Sequence, residues 1–322
     1  IKCFYKVLIK KMKRYIDIRL KNKFLLVQIL LLFVITLPVL SEETKVSQDS
    51  IFCFVGDTGH VNEIQKDVAN ALADSECNAI WHTGDIIYPD GISSKDDPRF
   101  ITNFLQPFNK VFNKEIPFFL TLGNHDYKKE PKSYLEIAKN NSLIVYPNNY
   151  YSNRYGKLCI FSLDTTIFDK LYLFYKRREQ KSWLRKIKED MTSSCELSIA
   201  VAHHPLFSSG DRKNATPQLS RFLETDIFGT FDLYIAGHNH VLADEGERRG
   251  TRQLISGTGS LPGGSPEEQP EGKFNVETPG FLKLELKEID NKVVAEYSFI
   301  QAQDNLVLWG GLKIGSGIRK NN

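Results

Sequence analysis

Cysteine is scarce and a net positive balance is missing in the body of this sequence, and each lack closes off a class of protein. Five cysteines occur in 322 residues, and Cys3 lies in the opening stretch, which leaves Cys53, Cys77, Cys159 and Cys195. Cys53 and Cys159 sit inside apolar runs, where a free buried thiol is the plain reading. No bridge is therefore assigned, and no Cys-based metal site is expected. The formal charge of +3 gives a false impression, because residues 1–41 hold nine Lys or Arg against Asp17 alone, an excess of eight, so residues 42–322 carry −5. A mildly acidic body offers no basic stripe with which to neutralise a phosphate backbone, and nucleic acid is excluded as a structural partner. Repeats of 20 to 50 residues and low-complexity linkers after residue 50 are also missing, which excludes solenoids and bead-string architectures.

The surplus of positive charge is confined to a leader. Its Lys/Arg run gives way to an apolar stretch from Phe24 to Leu40, interrupted by Gln28, Thr36 and Pro38, and then at once to Ser41, Glu42 and Glu43. The pattern predicts a signal peptide cleaved after Ser41, with no Cys there to receive a lipid. The other reading is an uncleaved anchor, for which 17 residues are at the short end of a bilayer span. The expected organisation is a leader over 1–41 and one domain over 42–322, exported, with the membrane involved only if the leader stays attached. With 41% of residues hydrophobic, a chain of this length can bury a sizeable core.

Within that domain one pattern recurs five times: a short apolar run, rich in β-branched and aromatic residues, ends in a polar cluster. Ile51 to Val55 leads to Gly56-Asp57, Ala79 to Trp81 to Gly84-Asp85, and Ile116 to Leu122 to Gly123-Asn124-His125-Asp126. Leu197 to Ala202 leads to His203-His204-Pro205, and Phe231 to Ala236 to Gly237-His238-Asn239-His240. Unbroken apolar runs of this length suit strands buried on both faces. Helical patterns lie between them. Val61 to Ser75 places Ile64, Val68, Ala71 and Leu72 on one face; Asp97-Pro98 opens a helix with a stripe of Ile101, Phe104, Leu105 and Phe108; Trp183, Leu184 and Ile187 mark another; Thr216-Pro217 starts one more. Phe281 to Leu286 and Val293 to Ile300 alternate as antiparallel strands do. The fold class expected is α/β, two packed mixed β-sheets with helices on both outer faces, and ligands in loops at the carboxyl ends of the strands.

Taken together, Asp57, Asp85, Tyr88, Asn124, His203, His238 and His240 mix oxygen donors with imidazoles just beyond strand ends, the mixture that hard and borderline metal ions select. His82, inside a strand, is expected to be structural.

These clusters resemble the calcineurin-like metallophosphoesterase superfamily, and Tyr88, three residues after Asp85, with Asp126, resembles its purple acid phosphatases, the small tartrate-resistant branch. Tyr150-Tyr151, Ser162 to Thr165, the Gln180 to Leu184 helix and Ser256 to Gly259 extend the likeness. The resemblance implies an αββα four-layer sandwich and a binuclear centre. Asp57, Tyr88 and His240 would hold Fe(III), Asn124, His203 and His238 would hold Fe(II), Zn or Mn, and Asp85 would bridge them. Three anionic ligands against five metal charges leave about +2 to attract a phosphate dianion. The implied activity is acid hydrolysis of small phosphate monoesters or phosphopeptides by a metal-bound hydroxide, in a monomer, with catalytic His125 binding phosphate and protonating the leaving group, and Asp126 orienting His125 or a ligand. A diesterase or nucleotide hydrolase of the same superfamily, and a phospho-ligand-binding pseudoenzyme, are the alternatives. One departure stands out. The family usually places another histidine shortly after His-x-Pro, whereas Ser208 to Lys213 has none; His60, His204 and Arg212 are the candidates to replace it.

Overall fold

The computed structural model describes residues 50–170, 173–210, 214–263 and 272–319, so the predicted leader, Arg212 and most of the loop after Leu261 lie outside the described residues. Those described fall within one compact unit, Lys45–Asn322.

The chain builds one sheet, crosses to a second, and returns to finish the first. β1 (Ile51–Val55), β2 (Ala79–His82), β3 (Phe118–Leu120) and β4 (Ile144–Val145) start the first sheet. β5 (Tyr151–Tyr155), β6 (Leu158–Ser162), β7 (Leu197–Val201), β8 (Leu233–Ala236), β9 (Leu242–Arg248), β10 (Thr251–Ser256) and β11 (Phe274–Val276) make the second. β12 (Gly280–Ile289), β13 (Lys292–Gln301) and β14 (Val307–Ile314) close the first. The strand orders are β14-β13-β12-β1-β2-β3-β4 and β11-β9-β10-β8-β7-β6-β5. β1 to β4 run parallel, as do β6, β7, β8 and β10, while the remaining pairs are antiparallel. Both sheets are therefore mixed, as expected.

Side-chain alternation explains the layering. On β7, Leu197, Ile199 and Val201 enter the core shared with Phe52, Phe54 and Leu282 of the first sheet, whereas Ala200, and Ala202 beyond it, face a separate cluster with Leu184, Leu219 and Phe222. Period-two alternation with both faces apolar is the signature of a sheet buried on both sides. Helices α1 (Glu63–Asp74), α2 (Pro98–Phe100), α3 (Asn109–Asn113) and α4 (Lys132–Asn140) belong to the first half; α5 (Thr166–Asp169), α6 (Phe174–Met191) and α7 (Pro217–Phe222) follow the crossing. Val68, Leu72 and Tyr134 pack into the first cluster and Leu184 and Phe222 into the second, so helices cover both outer faces.

Two local expectations need correction. The stripe predicted after Asp97-Pro98 does begin with an Asp97 cap, whose carboxylate accepts the Arg99 N–H, but Ile101–Leu105 is a π-helical turn. Its extra residue rotates the chain, burying Phe104 and leaving Ile101 52% exposed. The cysteines are also paired, Cys53 with Cys77 and Cys159 with Cys195, with Cα atoms 5.9 and 5.7 Å apart. The first joins β1 to the connection after α1 and the second joins β6 to the connection after α6, and an apolar run buries a disulfide as readily as a free thiol. Among the described residues no helix is long and apolar enough to cross a membrane.

Candidate metal centre

The seven residues singled out beforehand converge, and the two sheets divide them by chemistry. Asp57 follows β1, Asp85 and Tyr88 follow β2 and Asn124 follows β3, so every oxygen donor comes from the first sheet. His203 follows β7 and His238 and His240 follow β8, so every nitrogen donor comes from the second.

Their ligand atoms form two groups that share one oxygen. Tyr88 Oη lies 2.9 Å from Asp57 Oδ1 and 3.1 Å from His240 Nε2, and His240 Nε2 is 3.3 Å from Asp57 Oδ1. In the other group His203 Nε2 lies 3.1 Å from Asn124 Oδ1 and 3.2 Å from His238 Nδ1. Asp85 Oδ2 reaches both, 3.1 Å from Tyr88 Oη and 3.4 Å from His203 Nε2. Donors about 2.1 Å from an ion and at right angles about it are roughly 3 Å apart. Each group thus has the spacing of one face of a coordination shell, and Asp85 Oδ2 has the position of a shared ligand.

The remaining atoms of these side chains are engaged in orienting them. The Thr83 carbonyl accepts from His203 Nδ1 at 3.0 Å, which leaves the Nε2 lone pair facing two acceptors, Asn124 Oδ1 and Asp85 Oδ2. A positive charge at this point reconciles those groups. As protein alone the cluster draws it from a proton: burial pulls His203 down, but the charge and hydrogen bond of Asp85, with Asp57 behind, lift it to about 9. Asp85 lies far below the usual carboxylate range, because His203 and His125 outweigh its burial. The donor chemistry fits metal ions. Asp57 Oδ2 accepts the His238 N–H at 2.8 Å and Asp85 Oδ1 the His125 N–H at 2.8 Å, so each carboxylate has one oxygen tied to backbone and one aimed inward. Asp57, Asp85 and His238 all have left-handed backbones, φ 58°, 57° and 67°, a conformation that costs each about 1–3 kcal/mol and persists where the surroundings impose it.

Close approach of the loops depends on Gly123. A Cβ there would lie 2.2 Å from Asp85 Oδ1 and 2.5 Å from the Asp85 nitrogen. Asp126, fully buried, ties the same loops together by accepting from the N–H groups of Ile86, Ile87 and Gly123 and from Tyr134 Oη. Burial, then the charge of Asp85, raises it to about 7. Its expected grip is on ligand loops, and the His125 ring is oriented instead by the Pro89 carbonyl, which accepts from Nδ1 at 2.6 Å. Nε2 is thereby left facing inward, 4.0 Å from Asp85 Oδ2.

The candidates for the missing histidine separate clearly. His204 is buried, bonded to Thr165 Oγ1 at 3.0 Å, with its ring against His203 and His238. His60 is exposed and stacks on Tyr88 with ring centroids 4.6 Å apart; burial, then the neighbouring His240 and His125, lowers its pKa. His82 is structural, as expected, its Nε2 bonded to Thr58 Oγ1 and its Nδ1 accepting the Gly84 N–H. Lys128, which the sequence reading missed, places Nζ 3.0 Å from His125 Nδ1. It lies one helical turn beyond His125, a spacing that could have drawn attention to it.

Two mixed sheets between helical layers, with oxygen and imidazole donors gathered at strand ends, define a metallophosphoesterase. Residues 51–242, more than half of the chain, match the calcineurin-like phosphoesterase family, and the chain belongs to it. Among curated proteins it is similar to purple acid phosphatase 4 of Arabidopsis thaliana, 27% identical over 76% of this chain and 78% of that one. It is also similar to tartrate-resistant acid phosphatase type 5 of Mus musculus, 26% identical over 71% and 78%. Among solved structures the fold resembles GAP50, the anchor in the inner membrane complex of Plasmodium, with a TM-score of 0.70 at 18% identity over 84% of this chain and 90% of that one. A dimetal phosphatase from Danio rerio follows at 0.52 and 13%, over 80% and 98%.

Proposed function

We propose that the chain hydrolyses phosphate monoesters, small esters or phosphopeptides, at a binuclear centre. Asp57, Tyr88 and His240 would hold a ferric ion, Asn124, His203 and His238 a divalent Fe, Zn or Mn, and Asp85 would bridge them. A phenolate and carboxylates are hard anionic donors suited to Fe(III), and imidazoles with an amide oxygen suit the divalent ions. When bound, such ions act as Lewis acids that acidify water and clamp phosphoryl oxygens. The observation that carries this reading is the pair of donor groups sharing Asp85 Oδ2.

The chain's own residues supply the rest. With Nδ1–H held by Pro89, His125 presents Nε2 to the reacting group, where a protonated ring can donate to the leaving oxygen. Lys128 adds a cation beside it. His60, exposed over Tyr88, takes the place of the histidine missing after His-x-Pro and donates a hydrogen bond to phosphate. Export through the predicted leader is supported by the two disulfides, which suit an oxidising compartment.

The test is hydrolysis of p-nitrophenyl phosphate by metal-analysed protein, with His203→Ala and Tyr88→Phe beside it. His203→Ala should lower activity at least about a hundredfold, and Tyr88→Phe should abolish a visible charge-transfer band. Equal rates with and without His203 would leave a phospho-ligand-binding protein. A colourless, Mn-loaded, fully active enzyme would remove the ferric assignment and favour a diesterase-type centre.

A further inference from the structure

Helix α6 carries seven Lys or Arg against Glu179, Glu189 and Asp190, a net +4, in a body whose total is −5, so the rest of residues 42–322 stands at −9. The cations begin in the first turn, with Lys176, Arg177 and Arg178 directly after Phe174 and Tyr175, and no acid accompanies them. That order opposes the helix dipole, which favours anions at this end. Of the three, Lys176 acts on the buried Asp164 carboxylate, whereas Arg178 pairs with no acid among the described residues, and a local rule broken there points to an external partner.

The helix is fixed to the body by its other side. Gln180 and Leu184 are buried, and Lys181 pairs with Asp226 at 3.0 Å and lies over the Phe222 ring. Facing outward, Phe174, Arg178, Ser182 and Arg185 recur every three or four residues, a stripe about 16 Å long, with Lys186 beside it. Arg178, Arg185 and Lys186 hold no ion pair among the described residues. Phe174 is 60% and Tyr175 48% exposed. A soluble polyanion would need the cations alone. Two neighbouring exposed aromatics in front of them match an interface that is anionic outside and apolar just beneath.

We propose that this face docks the protein on an anionic lipid bilayer, with Phe174 and Tyr175 entering the headgroup boundary and Arg178, Arg185 and Lys186 meeting lipid phosphates. The proposal is independent of the metal centre. The full chain is mixed with vesicles of phosphatidylcholine alone or with phosphatidylserine and sedimented. It should bind the mixed vesicles, and lose binding in about 1 M salt, where screening acts within roughly 3 Å. The triple variant R178E/R185E/K186E, checked for folding by circular dichroism, should bind at least about a hundredfold more weakly. Because residues 1–41 are themselves basic and apolar, a local probe decides. Phe174→Trp should shift its emission to the blue and be quenched by brominated acyl chains on phosphatidylserine vesicles only. Unchanged binding of the triple variant, equal binding to pure phosphatidylcholine, or salt-sensitive binding with no change at Trp in Phe174→Trp would each overturn the proposal, the last in favour of attachment through another basic segment of the chain.

Discussion

Gly123→Ala is the smallest substitution that should separate the two halves of the donor set. The added Cβ would stand 2.5 Å from the Asp85 nitrogen and 2.2 Å from its Oδ1, and real Cβ contacts are essentially never under 3.0 Å. The carboxylate cannot simply swing aside, because Oδ1 accepts the His125 N–H. The Asp85 backbone and the Asn124 loop must therefore part by at least about 0.5 Å, more than twice the roughly 0.2 Å tolerance of a metal–ligand bond. Overpacking of this kind costs about 1–3 kcal/mol, a fall in melting temperature of roughly 4–8 °C for the middle of that range. Metal affinity should fall about 10–100-fold, while far-UV circular dichroism stays unchanged because no strand is touched. Competition with a chromophoric chelator measures the affinity, and melting of metal-free protein isolates the steric cost. A variant that melts lower yet binds metal as tightly as the parent would show that these side chains are not the metal site. One indistinguishable from the parent in both would refute the packing argument itself.

Three further outcomes follow from the same structure. His60→Ala should raise the KM for p-nitrophenyl phosphate about tenfold or more, the loss of one hydrogen bond to a charged group, with little change in kcat or in any visible band; an unchanged KM would remove His60 from the substrate contacts. Asp244 accepts from Arg252 at 2.9 Å, Tyr297 Oη at 2.7 Å and Trp309 Nε1 at 3.2 Å, so Asp244→Ala should cost about 3–5 kcal/mol in urea unfolding. Adding Arg252→Met should recover part of that loss, and strictly additive losses would contradict a coupled pair. Glu245, buried on β9, is raised from 4.5 to about 6, first by burial. Its folded form therefore holds protons that the unfolded chain has released between about pH 4.5 and 6, so the contribution of Glu245 to stability declines as pH rises through that window and is constant above it. Glu245→Gln should remove that contribution and gain up to about 2 kcal/mol over the parent at pH 7 relative to pH 4; parallel stability curves for the two proteins would refute the shift.

The strand ends were legible because a strand buried on both faces has little room for polar residues, so the chain turns polar mostly where it leaves the sheet. Asp57, Asp85, Asn124, His203 and His238 announce themselves this way. What could not be read is what depends on distant partners. An apolar run around Cys53 says nothing of Cys77 across α1, and the stripe of Ile101, Phe104, Leu105 and Phe108 has helical spacing whether or not a π turn rotates Ile101 outward. The run from Ile116 to Leu122 narrows to Phe118–Leu120, since pairing with neighbours, not hydropathy, sets where a ladder stops. His60 was visible only as one of three candidates, and its position over Tyr88 arises from a loop pinned by Ser260, whose Oγ accepts the His60 N–H and donates to the Asp57 carbonyl.

The split of donors between sheets has a consequence for how such a site can exist. Neither sheet holds a complete set: the first contributes only oxygens, the second only imidazoles, and both donor groups mix the two. The strained backbones of Asp57 and His238 are likewise fixed across the divide, the Asp57 carboxylate accepting the His238 N–H at 2.8 Å, while the Asp57 N–H is held by the Gly84 carbonyl at 2.9 Å. The geometry is thus a property of the packed sandwich and of no single loop, which is why bulk in the core between Phe52, Ile199 and Leu282 matters to the chemistry. It follows that an ion at either group bonds to both sheets at once and binds the folded state alone, so its binding energy adds to the cohesion of the sandwich by mass action, and any core change that slides one sheet over the other is felt at the metals before it is felt in the secondary structure.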